Sequence, residues 1–220
     1  MSASDYFVIC ITRTCGSGGT TIAKMLADAY GIDLYDRKLL RLAAEDSGIN
    51  EKLFAGADED VKNSLLYKVS KKVYNGELIP PESGNFVSDQ NLFNYQAKVL
   101  KELAERESYV VVGRCADYIL RKNPNTISVF LYASKEECLR HEMEYNDISQ
   151  NKARKEILRM DRYRRDYYRY HTGKKWKNPE NYDLCLNTEK LGYEGTKDLI
   201  MEYVKRRGYR EINSSKQGQV

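Results

Sequence analysis

Apolar positions in the first part of the chain change from a strand pattern to a helix pattern across a cluster of glycines. Residues 5–11 are β-branched and aromatic without a helical period, which predicts a strand. After the glycines, apolar residues recur at helical spacing over residues 22–30, and Gly31 ends this predicted helix. Residues 32–35 form a second predicted strand, which leads into a helix over residues 36–46. The pattern predicts a βαβα unit.

The rest of the chain continues this alternation. Apolar runs without a helical period predict three more strands, at residues 109–112, 127–132 and 182–187. Amphipathic spacing predicts helices at residues 92–103, 116–120, 149–170 and 194–207, with another beginning after Ser134. Strands separated by helices pair in parallel through right-handed crossovers. We therefore expect a three-layer α/β fold, in which a five-stranded, mostly parallel sheet carries helices on both faces and binds its ligand at the carboxyl ends of the strands.

The length of 220 residues predicts a single domain, which we place at residues 1–211. Within it, residues 48–88 have weak periodicity and end in a proline-rich loop, so we expect a helical insertion that acts as a movable substrate flap. Residues 149–178 are strongly basic and form the predicted lid region. Residues 212–220 are polar and predict a flexible tail.

Composition narrows the class of protein. With 41% hydrophobic and 31% charged residues and only 4 prolines, the chain is expected to be globular and not disordered. Its apolar runs are far shorter than the ~20 residues that span a bilayer, and its polar start does not resemble a signal peptide. We therefore predict a cytoplasmic protein without a membrane partner. The 5 cysteines form no C-x-x-C pair, which argues against a disulfide framework and a zinc site.

Positive charge is concentrated in one segment. The formal net charge is +4, yet residues 152–177 carry eleven Lys and Arg against three acids, so the remainder is net acidic. This concentration favours a focused site for an anionic ligand over nucleic-acid binding, and we predict no nucleic-acid partner. A solvated helix face is the alternative explanation.

The glycine cluster between the first strand and the first helix is the candidate phosphate-binding loop. It comprises Cys15, Gly16, Ser17, Gly18, Gly19, Thr20 and Thr21. Glycines let backbone N–H groups converge on phosphate oxygens, and the helix N-terminus adds roughly half a positive charge. Against the G-x-x-x-x-G-K-[ST] template, Arg13 and Gly18 take the glycine positions, Gly19 the lysine position and Thr20 the hydroxyl position. Because the lysine is missing, an ordinary tight turn is the alternative.

Further motifs occur with this loop. They lie in residues 11–23 with Gly-Ser-Gly-Gly, 35–40 with Asp-Arg-Lys, 111–120 with Gly-Arg, 161–168 with Asp-x-x-Arg, and 175–188 with Asn-Tyr-Asp-Leu. On these motifs the chain resembles the cytidylate kinase-like family, a branch of the P-loop nucleoside monophosphate kinases. The resemblance covers about residues 7–207 and implies the P-loop NTPase fold, in a variant whose loop lacks the lysine. Thr12 and the Thr20-Thr21 pair depart from the family pattern.

The resemblance implies ATP and Mg²⁺ as cofactors and a nucleoside monophosphate, preferably CMP or dCMP, as phosphate acceptor. For acceptor binding it implies Arg114, with Asp36 and the weaker candidate Arg41. Thr20 and Asp36 are the candidate metal ligands. The alternatives are a helix cap or a pair with Asp117 for Arg114, an N-cap for Asp36, and a surface position for Arg41.

Basic residues are expected to neutralise the transferred phosphoryl group in place of the missing lysine. The candidate catalytic residues are Arg13, Arg114, Asp161, Arg162, Arg164 and Arg165. Asp161 and Arg164 match the family's D-x-x-R lid motif, and Arg13 is the other candidate substitute because it lies in the loop itself. Ordinary i,i+4 ion pairs along the helix are the alternative for the lid residues.

The sequence thus predicts ATP-dependent phosphoryl transfer to a nucleoside monophosphate. Two other functions stay open. One is a non-catalytic nucleotide sensor, which the missing lysine supports, and the other is a kinase of a non-nucleotide small molecule, since fold does not fix substrate. A homodimer is also left open.

Overall fold

The computed structural model describes residues 6–36, 38–47, 78 and 89–209. Strands and helices alternate along them. In chain order they are β1 (Val8–Arg13), α1 (Gly19–Tyr30), β2 (Asp33–Tyr35), α2 (Lys38–Ser47), α3 (Asp89–Ala104), β3 (Tyr109–Val112), α4 (Ala116–Ile119), β4 (Thr126–Tyr132), α5 (Lys135–Asn146), α6 (Gln150–Thr172), β5 (Leu184–Asn187) and α7 (Thr188–Arg206). Except for Leu78, the predicted flap at residues 48–88 lies outside the described residues, as does the predicted tail at 212–220.

The strands form one sheet in the order β2-β3-β1-β4-β5, and all four pairings are parallel. This confirms the predicted α/β class. The central strand β1 is flanked by β3 and β4, so that Ile9 lies opposite Val110 on one side and Ile127 on the other. A strand with neighbours and helices on every side reads as a continuous apolar run, which is the pattern of β1 and β3 in the sequence.

Alternate side chains of each strand enter two separate cores. From β1, Ile9 and Ile11 pack with α1 and α7 on one face, whereas Val8 and Cys10 pack with α2, α3 and α4 on the other. The neighbouring strands β1 and β3 are therefore followed by helices on opposite faces of the sheet. Such a switch point opens a crevice at the carboxyl ends of the two strands, where α/β proteins bind their ligands.

Several element boundaries differ from the expected ones. β1 ends at Arg13 and not at residue 11, so Arg13 is the last residue of the strand and does not lie in the loop, as was expected. The last helix begins at Thr188, before the expected residue 194, and Gly192 interrupts it with φ 68° and ψ 172°. Glycine tolerates this backbone, so the helical spacing becomes regular only after the interruption. The last strand begins at Leu184 and not at the expected residue 182, and a 3₁₀ turn, Pro179–Asn181, ends two residues short of it. Ser134 caps α5 as expected, since its hydroxyl accepts a hydrogen bond of 3.1 Å from the Glu137 N–H.

The basic helix α6 is anchored at its C-terminal end. There the Tyr168 hydroxyl donates a 2.6 Å hydrogen bond to Asp117 of α4, and His171 stacks on Phe93 of α3 with ring centroids 3.8 Å apart. Tyr167 packs against the same Phe93. Half of the Lys and Arg residues of α6 lie in its N-terminal half, which is largely exposed. Among the described residues, no helix is long and apolar enough to cross a membrane.

Candidate active site

The loop between β1 and α1 is shaped by glycines that no other residue could replace without strain. Gly16 has φ 78°, and a Cβ there would lie 2.4 Å from the Cys138 carbonyl oxygen. Gly18 has φ 74°, and a Cβ there would lie 2.4 Å from the ring of Tyr193 on α7. Both positions need the left-handed conformation and also face a close neighbour. The loop is therefore tightly enclosed and is not an ordinary exposed turn.

Hydrogen bonds from two hydroxyl groups hold carbonyls at the phosphate loop. The Ser17 hydroxyl donates to the Thr14 carbonyl at 2.9 Å, and the Thr188 hydroxyl donates to the Ser17 carbonyl at 2.9 Å. The first turn of α1 contains Gly19, Thr20 and Thr21, and the first N–H groups of a helix have no intrahelical partner. These N–H groups and the helix dipole together form an anion-binding end.

The side chain of Arg13 lies against Gly19, the residue at the lysine position of the template. A Cβ on Gly19, the lysine position of the template, would lie 2.6 Å from the Cβ and 2.7 Å from the Cγ of Arg13. A Cβ on Gly113, at the end of β3, would lie 2.6 Å from Nη1 of Arg13. The arginine side chain therefore runs from the phosphate loop, across Gly19, to the carboxyl end of the neighbouring strand.

Three arginines share this crevice. Burial, together with the nearby charges of Arg164 and Arg114, lowers the pKa of Arg13 to about 9, although Asp36 opposes the change. Within the described part of the chain, Nε of Arg13 is buried and has no hydrogen-bond partner. Like charges collected in a partly buried pocket repel one another, and an anionic ligand would relieve this repulsion.

Arg114 is presented by an unusual stretch of backbone after β3. Gly113, Arg114 and Cys115 have φ of 75°, 60° and 54°, so three consecutive residues adopt the left-handed conformation. Each non-glycine residue in this region costs of order 1–3 kcal/mol, and such strain is concentrated at functional sites. The turn is fixed at its start by a 2.9 Å hydrogen bond from the Gly113 N–H to the Ile11 carbonyl of β1.

Helix α6 contacts the phosphate loop through the D-x-x-R motif. The Cys15 N–H donates to the Asp161 carboxylate at 2.8 Å, and Nη1 of Arg164 donates to the Arg13 carbonyl at 3.3 Å. Asp161 also pairs with Arg164 at 3.9 Å and with Lys177 at 3.8 Å. The motif thus connects α6 to both ends of residues 13–15, which directly precede Gly16.

The other candidate residues are placed less centrally. Arg162 and Arg165 are exposed on α6, where Arg165 pairs with Asp166 at 2.9 Å. Arg41 is exposed on α2. Asp36, directly after β2, is close enough to Arg13 to stabilise its charge. The structure thus brings Arg13, Arg114, Arg164, Asp36 and Asp161 together around the loop, and leaves Arg162, Arg165 and Arg41 at the surface.

Comparison with known proteins shows the family of the chain. A model of the cytidylate kinase-like family matches residues 8–190. The chain belongs to the cytidylate kinase-like family. A cytidylate kinase of Fervidobacterium nodosum is 27% identical over 226 residues, covering 90% of this chain and 96% of the relative. A cytidylate kinase of Thermosipho melanesiensis is 29% identical over 147 residues, covering 58% of this chain and 64% of that relative, which is less than two thirds of its length.

A solved structure has the same fold. The crystal structure of an uncharacterized protein from Eubacterium ventriosum superposes with a TM-score of 0.67 at 28% identity, covering 90% of this chain and 98% of the other. Together, the family and the parallel sheet confirm the P-loop kinase fold that the motifs predicted. They also confirm the broader prediction of an enzyme of the nucleoside monophosphate kinase type.

Several residues of this cytidylate kinase-like site were not found from the sequence. Cys138 and Tyr193 enclose the glycines, Thr188 holds the Ser17 carbonyl, and Lys177 pairs with Asp161. None of these lies near the loop in sequence. Lys177 and Thr188 fall within the motif stretch 175–188, but the motif did not indicate their contacts with the loop region, and Cys138 and Tyr193 lie in no motif.

The residues present fit a nucleotide and its magnesium ion. Mg²⁺ retains several waters and is commonly held by substrate phosphates with one or two protein oxygens, so it does not need a dedicated cage. Among the described residues no group of three His, Cys, Asp or Glu gathers to bind a metal. Thr20, a candidate metal ligand, is exposed in the first turn of α1.

Proposed function

We propose that this protein transfers the γ-phosphoryl group of ATP to a nucleoside monophosphate, with CMP or dCMP as the preferred acceptor. The observation that carries the proposal is the convergence of Arg13, Arg114 and Arg164 on a glycine loop at the switch point of the sheet. Phosphoryl transfer needs concentrated positive charge and little covalent chemistry from the protein, and this arrangement supplies that charge.

The donor side of the site is the loop itself. The N–H groups of Gly18, Gly19 and Thr20 are the groups we assign to the β-phosphate of ATP, because they lie at the positive end of α1. Cys15, Gly16, Ser17 and Thr21 complete the loop, although the N–H of Cys15 is bonded to Asp161. Thr20 and Asp36 are the proposed magnesium ligands. When bound, the ion would neutralise charge on the β- and γ-phosphates.

The acceptor side lies at Arg114, with Asp36 and Arg41 as further proposed contacts. A guanidinium can hold a phosphate through two parallel hydrogen bonds, and Arg114 follows β3 at the crevice. The preference for a cytosine nucleotide rests on relatives named cytidylate kinase, of which one aligns over 96% of its length. The predicted flap, residues 48–88, would complete this side.

In the reaction, an oxygen of the acceptor phosphate forms a bond to the γ-phosphorus. The bond from that phosphorus to the β,γ-bridging oxygen breaks, and ADP leaves with the bonding electron pair. No proton needs to be removed from a phosphate dianion, so no strong base is required. Arg13, Arg114 and Arg164 would hold the oxygens in line and stabilise charge as it develops, which is how most phosphotransferases accelerate transfer.

The lid residues divide into two groups in this proposal. Asp161 and Arg164 would act at the loop, which they contact in the structure. Arg162 and Arg165 are exposed on the same helix and would reach a phosphate only if α6 moved. Lid closure over residues 149–178 therefore stays a prediction, and the buried contact of Tyr168 with Asp117 is its natural pivot.

The test is a turnover assay with ATP, Mg²⁺ and, separately, CMP, dCMP, UMP and AMP. We expect diphosphate formation that favours a cytosine nucleotide and falls about 100-fold or more in Arg114→Ala, as for other residues that hold transition-state charge. Arg206→Ala is the matched control, because Arg206 is a highly exposed arginine of α7 that pairs only with a neighbouring helix residue, Glu202, in the contacts seen.

Each outcome separates the alternatives. Diphosphate formation lost in Arg114→Ala and retained in Arg206→Ala supports the proposal. Thermal stabilisation by ATP without product from any monophosphate would contradict it and favour a nucleotide sensor or a kinase of another small molecule. Equal turnover in Arg114→Ala and in the control would show that the acceptor site lies elsewhere.

A further inference from the structure

The two ends of the phosphate loop cannot both carry a side chain. The template requires a glycine at position 13 and a lysine at position 19, whereas this chain has Arg13 and Gly19. A Cβ at position 19 would lie 2.6 Å from the Cβ of Arg13, a distance that real Cβ atoms essentially never show. The large residue and the glycine have therefore exchanged ends, and each depends on the other.

From this exchange we infer that Arg13 performs the lysine's phosphate-binding task, reaching the same crevice from the opposite end of the loop. Its ligand is the terminal phosphate of a nucleoside triphosphate or an inorganic polyphosphate chain. The part of this inference that concerns the reaction rests on the proposed function. The part that concerns binding of a phosphate chain does not.

The position of the guanidinium supports this inference. The stem of Arg13 lies against Gly19, and its Nη1 reaches Gly113, the residue before Arg114. One end of the side chain therefore lies at the donor loop and the other beside the proposed acceptor residue. A group that is passed from a donor at the loop to an acceptor at Arg114 must cross this span.

An unpaired hydrogen-bond donor of the Arg13 side chain also indicates that the site binds an anion. Nε of Arg13 is buried and has no hydrogen-bond partner in the described part of the chain. Burial lowers the pKa of Arg13, the adjacent charges of Arg164 and Arg114 lower it as well, and Asp36 and Cys15 oppose this change. A buried donor is costly unless it is paired, so a phosphate oxygen at this point would satisfy both the hydrogen bond and the charge.

Arginine also changes what the loop can hold. A lysine is a compact point charge, whereas the planar guanidinium offers donors in a fixed fork that matches two phosphate oxygens. Because its side chain crosses from β1 toward β3, Arg13 is held over most of its length by Gly19 and Gly113. Glycine at these two positions is thus required by the arginine, and at Gly113, which has φ 75°, by the backbone as well.

The decisive experiment exchanges the two residues back. Arg13→Gly with Gly19→Lys restores the G-x-x-x-x-G-K-T template, because residues 18 and 20 are already Gly and Thr. We compare this double variant with both single variants and with wild type. The readouts are binding of inorganic tripolyphosphate and of ATP by calorimetry, folding by circular dichroism, and turnover with the best acceptor.

We expect Arg13→Gly to weaken tripolyphosphate binding at least tenfold and to reduce turnover about 100-fold, while remaining folded. Gly19→Lys alone should unfold at a lower temperature because its Cβ has no room beside Arg13. The double variant should recover at least tenfold over Arg13→Gly in tripolyphosphate binding. If the effects of the two substitutions on binding are not additive in this way, the two residues are coupled through the space that they both occupy.

The opposite results are equally clear. If Arg13→Gly binds tripolyphosphate as tightly as wild type, Arg13 does not hold phosphate and the inference is wrong. If the double variant is folded but binds no better than Arg13→Gly, the two residues are not exchangeable and the inference also fails. Should the double variant not fold, Arg13→Gln decides, since it retains the stem but loses the charge and should bind tripolyphosphate at least tenfold more weakly. Failure of the kinase proposal alone would appear as tripolyphosphate binding that depends on Arg13 without nucleotide product.

Discussion

Replacement of Arg13 by methionine should stabilise the fold while it damages the site. Methionine keeps an unbranched stem against Gly19 but brings no charge into the crevice. A pKa lowered from 12.5 to about 9 corresponds to about 5 kcal/mol against the charged guanidinium in the folded protein. Part of the side chain is still solvated, so we expect about 1–3 kcal/mol of the penalty to be recovered in the free energy of unfolding.

The pH dependence has a definite sign. Because the folded protein lowers the pKa of Arg13, the penalty is fully present below about pH 9 and decreases only as the pH rises above that value. Urea unfolding at pH 7 is therefore the appropriate measurement, with unchanged m-values as the condition for comparison. Arg206→Met, on the exposed face of α7, is the matched control and should change stability by less than about 0.5 kcal/mol.

Tripolyphosphate provides the second half of the test. An anion that binds only the folded protein raises its stability, and wild type should gain more than Arg13→Met because its charge is then neutralised. The reasoning would be refuted if Arg13→Met were less stable than wild type by more than about 1 kcal/mol while tripolyphosphate stabilised both proteins equally.

Three further predictions concern the residues around the site. Burial raises the pKa of Asp117 from 3.8 to about 6. The stability advantage of Asp117→Asn over wild type, measured by urea unfolding, should therefore grow by up to about 3 kcal/mol between pH 4 and pH 7. A difference that stays constant with pH would contradict this prediction. Asp161→Ala removes the acceptor of the Cys15 N–H and should lower the free energy of unfolding by about 1–2 kcal/mol, whereas Asp166→Ala should lower it by less than about 0.5 kcal/mol. Equal losses would argue against a stabilising contact between α6 and the phosphate loop. Gly16→Ala should cost at least about 2 kcal/mol more than Gly31→Ala, because both have positive φ but only Gly16 faces a close atom; similar melting temperatures would show that the loop yields easily.

Much of the fold could be predicted from the sequence because its strands are buried. Apolar runs such as the one at residues 109–112 stand out between amphipathic helices, and alternation then requires parallel pairing. Boundaries were less predictable where one residue changes the backbone. Gly192 interrupts α7 and hides its first turn from a helical pattern.

The site was predictable where its chemistry is local. The glycine loop and the Gly113-Arg114 turn are contiguous in sequence, and the structure places both at the switch point. Contacts between distant segments were not predictable in this way. No spacing rule brings Tyr193 onto Gly18, and the contact of Arg13 with Gly19 depends on how the loop folds back on β1.

The central claim is transfer of the γ-phosphoryl group to a nucleoside monophosphate, and phosphorus NMR of the wild-type reaction tests it most directly. With ATP, Mg²⁺ and CMP, the account predicts that CDP and ADP appear together in equal amounts, and that neither forms when CMP is omitted. Inorganic phosphate appearing at the same rate with and without CMP, or an unchanged ATP spectrum with every monophosphate, would contradict it.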